Sequence, residues 1–283
     1  MPNSNLDFTP YFNSSLFSDA TVAYYNNKHA KGGDKRHLPV HRLILSLQSP
    51  FFASAFTLPF SESQPSSCSS SNPDHDLNPK PTITLHDDDP DALVSAIRWC
   101  YGHSLYQLDG DDELETQLAY KDLITMRFTS DEEQAIAGLL LHLMRVYVVA
   151  DKYDIRKLRD EVLVHYHRLA PLVQLHKQEG FFEEMVGVVY GTGLGKGDKL
   201  RKRLMGDVAR EVYRLSEGKD SSRERVKKVL RMGNDWEWEE VERIVRGCVY
   251  KVRSVGMGRE WKREFMRDVK REVRRVVKRR WSS

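Results

Sequence analysis

Few residues of this chain have side chains whose type and spacing could do chemistry, and the clearest group is Asp19, His41 and Arg42. A histidine can change protonation near neutral pH, and a nearby aspartate can fix its tautomer. At the junction of a strand and a helix, such a group usually ties backbone elements together. We therefore interpret Asp19, His41 and Arg42 as a structural group, with ligand binding as the less favoured alternative.

A glycine-rich run, 191–197, superficially resembles a phosphate-binding loop. The Walker pattern requires glycine where Tyr190 stands and serine or threonine where Gly197 stands, and the dinucleotide pattern requires glycine in place of Lys196. The run therefore indicates a connection between two helices, and no nucleotide or other cofactor is expected.

Metal and nucleophilic chemistry find equally little support. His165 and His167 are two residues apart, which places them about 200° apart around a helix, so they cannot share one metal ion. The three cysteines, Cys68, Cys100 and Cys248, are dispersed and odd in number, which favours a reducing compartment over a disulfide framework. We expect no metal site and no enzymatic activity.

Composition is that of a folded protein: 283 residues, of which 40% are hydrophobic and 30% charged. The N-terminus lacks a secretory signal pattern, and no window approaches the roughly 18 consecutive apolar residues of a spanning helix. We expect a protein of the cytoplasm, the nucleus or both, without a membrane span.

Charge is distributed unevenly. Residues 1–195 carry a net charge of −10 and residues 196–283 one of +13, which together give the formal +3.

The C-terminal segment repeats apolar residues every fourth position on an otherwise basic helix: Trp261, Phe265, Val269, Val273, Val277 and Trp281. Its basic tail includes Arg274, Arg275, Lys278, Arg279 and Arg280. Packing on the preceding helices is the favoured interpretation, because exposed tryptophans are costly in water. A partner helix, nuclear import, and binding to nucleic acid or anionic membrane remain alternatives.

Strands come first and helices follow. Ala20–Tyr25 and Arg36–Val40 predict a β-hairpin, and Thr82–Leu85 predicts a third strand. Leu43, Ile44 and Leu47 indicate a short helix, and Ser49-Pro50 opens a second one. Further helix starts are predicted at Asp89-Pro90, at the capping-box pattern Ser130–Glu133, and at Asp154. The order predicts an α+β fold, a small three-stranded sheet flanked by helices.

Four blocks of sequence, in order, carry a family resemblance. They are Phe17–Val22, Pro39–Phe52, Ile83–Gly102 and Tyr147–Leu158. Together they resemble the BTB/POZ domain, over about residues 16–168. A short leader (1–15) precedes it, and two insertions (about 64–81 and 102–129) interrupt it. A helical extension follows at 171–283, basic from 196, whose residues 171–215 look like the segment after the domain in many fungal proteins.

The resemblance implies an interaction module. Many members form dimers, and some bind cullin-3 to recruit substrates for ubiquitination. In those members a three-residue motif after the second core helix contacts cullin-3; it consists of a hydrophobic residue, any residue and a glutamate. Here Phe60 and Glu62 stand at that place. Asp19, His41 and Arg42 match positions lining the charged groove of co-repressor-binding members. Since only about 15 residues precede Phe17, the strand and helix that swap in many dimers are not expected, and a homodimer is left open.

The predicted function is therefore protein–protein interaction, with an adaptor role for a cullin-3 ubiquitin ligase as the specific hypothesis. The alternative is a nuclear regulatory or scaffold factor whose basic tail binds nucleic acid or another anionic partner. No zinc finger or basic zipper supports this alternative, so nucleic acid is the less favoured partner.

Overall fold

The computed structural model describes residues 7–25, 34–57, 80–105, 129–173, 180–192, 194–195, 197–204 and 206–207. The chain divides into two compact units. The first comprises Met1–Arg127 and His142–Ala170, and the second comprises Phe128–Leu141 and Pro171–Ser283. Most of both predicted insertions, and all of the C-terminal tail from residue 208, lie outside the described residues.

A three-stranded sheet forms the centre of the first unit. Strands β1 (Ala20–Tyr25) and β2 (Lys35–Val40) pair antiparallel, with Ala20 opposite Val40 and Tyr25 opposite Lys35. Strand β3 (Thr82–Thr84) lies parallel to β1, giving the order β2-β1-β3. Ala20, Val22 and Ala23 are fully buried because β1 is the central strand. The hairpin and the third strand are confirmed.

Two short helices follow the hairpin: α1 (Arg42–Gln48) and α2 (Pro50–Thr57). Ser49 separates them, and its Oγ accepts the amide N–H of Phe52 at 3.1 Å, which caps α2 as the sequence predicts. The same hydroxyl donates to the carbonyl of Tyr153 at 2.6 Å. Ser49 is fully buried, so one side chain both starts α2 and joins it to a distant part of the unit.

Helix α3 (Pro90–Cys100) begins as predicted, because the Asp89 carboxylate accepts the amide N–H of Ala92 at 3.0 Å. It ends where Gly102 adopts a φ of 94° and its amide donates to the Trp99 carbonyl. The left-handed backbone there suits glycine.

Two predicted helix starts need correction. Helix α4 (Ser130–Lys152) is capped by Thr129, whose Oγ1 accepts the Glu132 amide while its own amide donates to the Glu132 carboxylate. The capping box is therefore one residue earlier than Ser130–Glu133. Helix α5 (Arg156–Leu169) starts two residues after Asp154, because Asp154 has a φ of 50° and its carboxylate bonds Arg156.

Among the described residues, α4 is long and apolar enough to cross a membrane by length and composition. An 18-residue window has a mean hydropathy of 1.3, and 61% of it is buried inside the molecule. A core helix of a folded domain has the same properties, so this helix alone is weak evidence for a span. Helix α4 contributes residues to both units.

The described part of the second unit is helical. Helix α6 spans Phe181–Tyr190, and residues 199–204 are also helical. The two helical segments are in contact: the guanidinium of Arg201 lies 4.5 Å from the centre of the Tyr190 ring, and it donates to the Leu194 carbonyl at 3.2 Å. Met185, Val189, Leu200 and Leu204 are fully buried. These elements agree with the predicted α+β class.

Candidate protein-interaction surface

Asp19 and Arg42 meet at the beginning of α1. The Asp19 carboxylate accepts the amide N–H of Arg42 at 2.8 Å, and the Asp19 amide donates to the Val40 carbonyl at 3.2 Å. The first amides of a helix have no partner within the helix, and a carboxylate there also complements the helix dipole. Asp19 therefore satisfies the start of α1 from a different segment of the chain.

His41 is bonded on both sides of its ring. Its Nε2 lies 2.9 Å from the Leu16 carbonyl, and its Nδ1 lies 3.0 Å from the Tyr101 hydroxyl. Because a carbonyl oxygen only accepts, Nε2 carries the proton and donates, which in the neutral ring leaves Nδ1 to accept from Tyr101. The same hydroxyl accepts the His41 amide N–H at 2.9 Å.

Tyr101 is 1% exposed, and this burial raises the pKa of its hydroxyl to about 12. It therefore remains a neutral donor throughout the physiological range. His41 and Tyr101 form a closed hydrogen-bonded pair with no free polar atom directed at a ligand.

The guanidinium of Arg42 contacts the end of α2. Its Nη2 donates to the Phe56 carbonyl at 3.1 Å, and its Cζ lies 5.7 Å from the centre of the Phe56 ring. A cation at the C-terminus of a helix interacts favourably with the negative end of the helix dipole, and it can donate a hydrogen bond to a terminal carbonyl. Asp19, His41 and Arg42 thus lie together, and each bonds backbone groups of its own chain.

The N-terminal leader packs on the same group. The ring of Tyr11 lies edge-on to His41 with centres 5.8 Å apart, and the ring of Phe12 lies edge-on to Tyr101 at the same distance. The guanidinium of Arg98 is 5.6 Å from the centre of the Phe12 ring. These contacts hold the leader against α1 and the end of α3.

Beside this polar group lies an exposed apolar area, which we call the α1 surface: Leu16, Phe17, Leu43 and Leu47. Leu43 is 70% exposed and Leu47 is 66% exposed, one helical turn apart on α1. Leu16 is 58% exposed and Phe17 is 76% exposed. The bonds from Leu16 to His41 and from Asp19 to Arg42 place these residues next to the beginning of α1. Exposed apolar side chains that form a contiguous patch are typical of protein interaction sites.

One of three comparisons with known proteins found a match, which covers part of the chain. Residues 8–137 match the model of the BTB/POZ domain. The chain contains a BTB/POZ domain. Neither the curated proteins nor the solved structures yielded a match. BTB domains are protein–protein interaction modules, so the predicted class of function is confirmed at that level.

Two groups of predicted site residues lie outside the part of the chain that the structure describes. Phe60 and Glu62 follow α2, which ends at Thr57, and the basic tail residues Arg274, Arg275, Lys278, Arg279 and Arg280 fall after residue 207. Both remain predictions from the sequence.

The first unit also contains a hydroxyl and an imidazole in contact. Ser95 Oγ lies 3.0 Å from His142 Nε2, which joins α3 to α4. Burial lowers the pKa of His142, which favours the neutral ring, and in the neutral ring Nε2 can accept from the serine. Nucleophilic catalysis would also need hydrogen-bond donors that stabilise an oxyanion. By itself, the contact between Ser95 and His142 supports a hydrogen bond that joins two helices. Within the described ranges, no cluster of three or more His, Cys, Asp or Glu side chains could hold a metal ion.

The α1 surface was not predicted from the sequence. The spacing of Leu43, Ile44 and Leu47 indicates a helix, but Ile44 and Leu45 are the residues that the domain buries. Spacing alone does not tell which side of a short apolar helix is covered. One available signal was the excess of leucines: three of the seven residues of α1 are leucine, more than one buried face needs.

Proposed function

We propose that this chain works by binding proteins, and that its BTB domain associates with a second copy of itself through the α1 surface. The observation that supports this is the exposure of Leu43 and Leu47 on one side of α1. Burying such side chains gains about 25 cal/mol per Å² of apolar area, which makes removal from water favourable. BTB domains mediate dimerisation, which makes a second copy the first partner to consider.

Sedimentation of the full chain over a concentration series tests self-association. The wild type should rise from a mass of 32.8 kDa towards twice that value as concentration increases. A Leu43→Ser/Leu47→Ser variant should remain at the lower mass. Val164→Ser is the matched control, since Val164 is 56% exposed on α5 and lies outside the α1 surface. Equal association of wild type and the leucine variant would contradict the proposal.

The second proposal is that the chain is an adaptor for a cullin-3 ubiquitin ligase. Its support is the triplet Phe60-Ser61-Glu62, which follows the second helix of the domain as in cullin-binding members of the family. An aromatic side chain can fill an apolar pocket, and a carboxylate beside it can pair with a donor on the partner.

Binding of the purified cullin-3 N-terminal region to the immobilised chain tests the adaptor proposal. The wild type should retain cullin-3, and Phe60→Ala/Glu62→Ala should lose it. Leu43→Ser/Leu47→Ser serves as the control for the other surface. Equal recovery by wild type and the Phe60/Glu62 variant, or recovery by neither, would remove the adaptor function while leaving self-association open.

A nuclear regulatory role is the alternative, and it rests on the charge of +13 over residues 196–283. In this case the tail that includes Arg274, Lys278 and Arg279 would bind nucleic acid or another anionic partner, and the chain would act in the nucleus as well as the cytoplasm. Retention on heparin that falls steeply with salt, and is lost when residues 259–283 are removed, would favour it. No retention at low salt would exclude it.

A further inference from the structure

We infer that the outer edge of β2 binds an extended acidic segment of another protein, which adds a fourth strand to the sheet. The sheet has the order β2-β1-β3, so β2 is an edge strand among the described residues. This edge is distinct from the α1 surface, and its partner is not a second copy of this chain. The inference therefore goes beyond the proposed self-association.

The bonds of β1 show which backbone groups of β2 face outward. The Thr21 amide donates to the Pro81 carbonyl at 3.0 Å, so Thr21 bonds on the side of β3. Successive residues of a strand direct their backbone groups to opposite sides, so Val22 bonds on the side of β2. Leu38 lies opposite Val22 in the antiparallel register, and its own backbone groups therefore face β1.

The residues on either side of Leu38 direct their backbone groups away from β1. They are His37 and Pro39, and Lys35 follows the same alternation. The outer edge thus offers the carbonyls of all three residues and the amides of Lys35 and His37, since proline has no N–H. Among the described residues, no loop or turn bonds these outward groups. A peptide in extended conformation is the ligand that can pair with such a row of backbone groups.

Pro39 fits this orientation of the strand. Within a sheet, proline is confined to places where its missing N–H does not interrupt the bonds to a neighbouring strand. Its partner in the register is Thr21, which bonds on the side of β3, so Pro39 costs the sheet no hydrogen bond. An added strand therefore pairs best at Lys35 and His37, which keep both of their backbone groups.

Charge selects an acidic segment as the partner. Lys35, Arg36 and His37 are exposed, and neither Lys35 nor Arg36 has an ion pair among the described residues. Residues 28–37 carry a net charge of +3, although residues 1–195 as a whole carry −10. Opposite charges that face each other across two strands stabilise their pairing. Aspartate or glutamate side chains of the added strand would meet this basic cluster.

The same charges disfavour a second copy at this edge. Lysine and proline on an edge strand protect it from pairing with another edge of the same kind. Two β2 strands side by side would bring the lysine and arginine of both copies close together, and like charges across strands repel. An acidic strand replaces this repulsion with attraction. The features that prevent self-pairing of the edge therefore allow it to select its partner.

The test measures binding of a fluorescein-labelled peptide of four Glu-Thr repeats to the full chain at low salt, by fluorescence anisotropy. The wild type should bind it. Methylation of every peptide amide keeps the charge and blocks strand pairing, so it should weaken binding by about tenfold or more. Lys35→Glu should weaken binding by about fivefold or more. Lys157→Glu changes an exposed lysine of α5 and is the matched control, which should bind like the wild type.

Each other outcome contradicts the inference. Equal binding of the methylated and unmodified peptides would mean that charge alone attracts the peptide and that no strand is added. Equal losses in Lys35→Glu and Lys157→Glu would place the peptide elsewhere. A wild type that does not bind the peptide would remove the acidic partner. A single-stranded oligonucleotide that binds in its place, and loses affinity in Lys35→Glu, would assign the edge to nucleic acid. Leu43→Ser/Leu47→Ser should bind the peptide like the wild type, which separates this result from the proposed self-association.

Discussion

The hydroxyl of Tyr101 lies 2.9 Å from the backbone nitrogen of His41 and 3.0 Å from its Nδ1, so one oxygen serves as both acceptor and donor for the same residue. Tyr101 caps the end of α3 and His41 caps the start of α1. The pair therefore joins two helix termini that are 60 residues apart in sequence.

Replacing Tyr101 with phenylalanine should destabilise the BTB domain. The change leaves the His41 amide and Nδ1 without their partner in a part-buried place, for which a loss of about 1–3 kcal/mol in the free energy of unfolding is expected. Urea unfolding followed by circular dichroism measures this loss. Tyr11→Phe keeps the ring beside His41 and is the matched control. An equal effect of both changes would show that the Tyr101 hydroxyl contributes nothing specific.

Ser49→Ala should be costly as well, because one buried hydroxyl makes two bonds. The Phe52 amide loses its cap and the Tyr153 carbonyl loses its donor, so unfolding should become easier by about 1–3 kcal/mol. Thr57→Ala provides the comparison, since the Thr57 hydroxyl is exposed and, among the described residues, bonds carbonyls of its own helix. Its effect should stay within about 0.5 kcal/mol. If Ser49→Ala costs no more than Thr57→Ala, the connection to Tyr153 is energetically unimportant.

Ser49 also illustrates how far the sequence could predict this fold. Its cap on α2 was predictable because donor and acceptor are three residues apart, and the same holds for Asp89 on α3. Its bond to Tyr153 spans 104 residues, and no local pattern contains it. The capping box at Thr129 was misplaced by one residue because Thr129 and Ser130 are both acceptable caps, each with a glutamate three residues later.

The candidate surface was predictable only in part. Asp19, His41 and Arg42 could be recognised by residue type, and their bonds to backbone follow from their positions at helix ends. The exposure of Leu43 and that of Phe17 depend on which side of α1 the domain covers and on a turn closed by Ser15 and Ser18. Tertiary packing decides both, so neither could be predicted from spacing.

The stability of the domain should fall as pH decreases below the ordinary pKa of histidine, because of His142. Burial lowers its pKa from 6.5; Asp89 and Asp91 oppose this shift and Arg145 adds to it. The unfolded chain then binds a proton in a range where the folded chain does not, so stability is lost from about pH 6.5 down to the lowered pKa.

His142→Gln keeps an acceptor for Ser95 and removes the titration. Urea unfolding from about pH 7.5 to about pH 5 should therefore give a flatter profile for this variant than for the wild type. His37→Gln, at an exposed position of β2, is the control for replacing a histidine with glutamine. Parallel profiles for wild type and His142→Gln would mean that His142 titrates normally.

Glu161 should produce a second, more acidic transition. His165 holds the pKa of its carboxyl below 4.5, burial opposes this shift, and the indole N–H of Trp99, which donates at 3.0 Å, assists it. The folded domain thus favours the ionised carboxylate, and its contribution to stability is complete above the unfolded pKa. That contribution is lost as pH falls from about 4.5 through the lowered value, because protonation releases His165 and weakens the bond to Trp99.

Glu161→Gln keeps an acceptor for the indole and cannot ionise, so the unfolding free energy of this variant should depend less on pH below about 4.5, while the transition due to His142 remains. Glu184→Gln, at an exposed position of α6, is the control. A wild-type profile that Glu161→Gln reproduces in the acidic range would show that the carboxylate has no preferential interaction in the folded state.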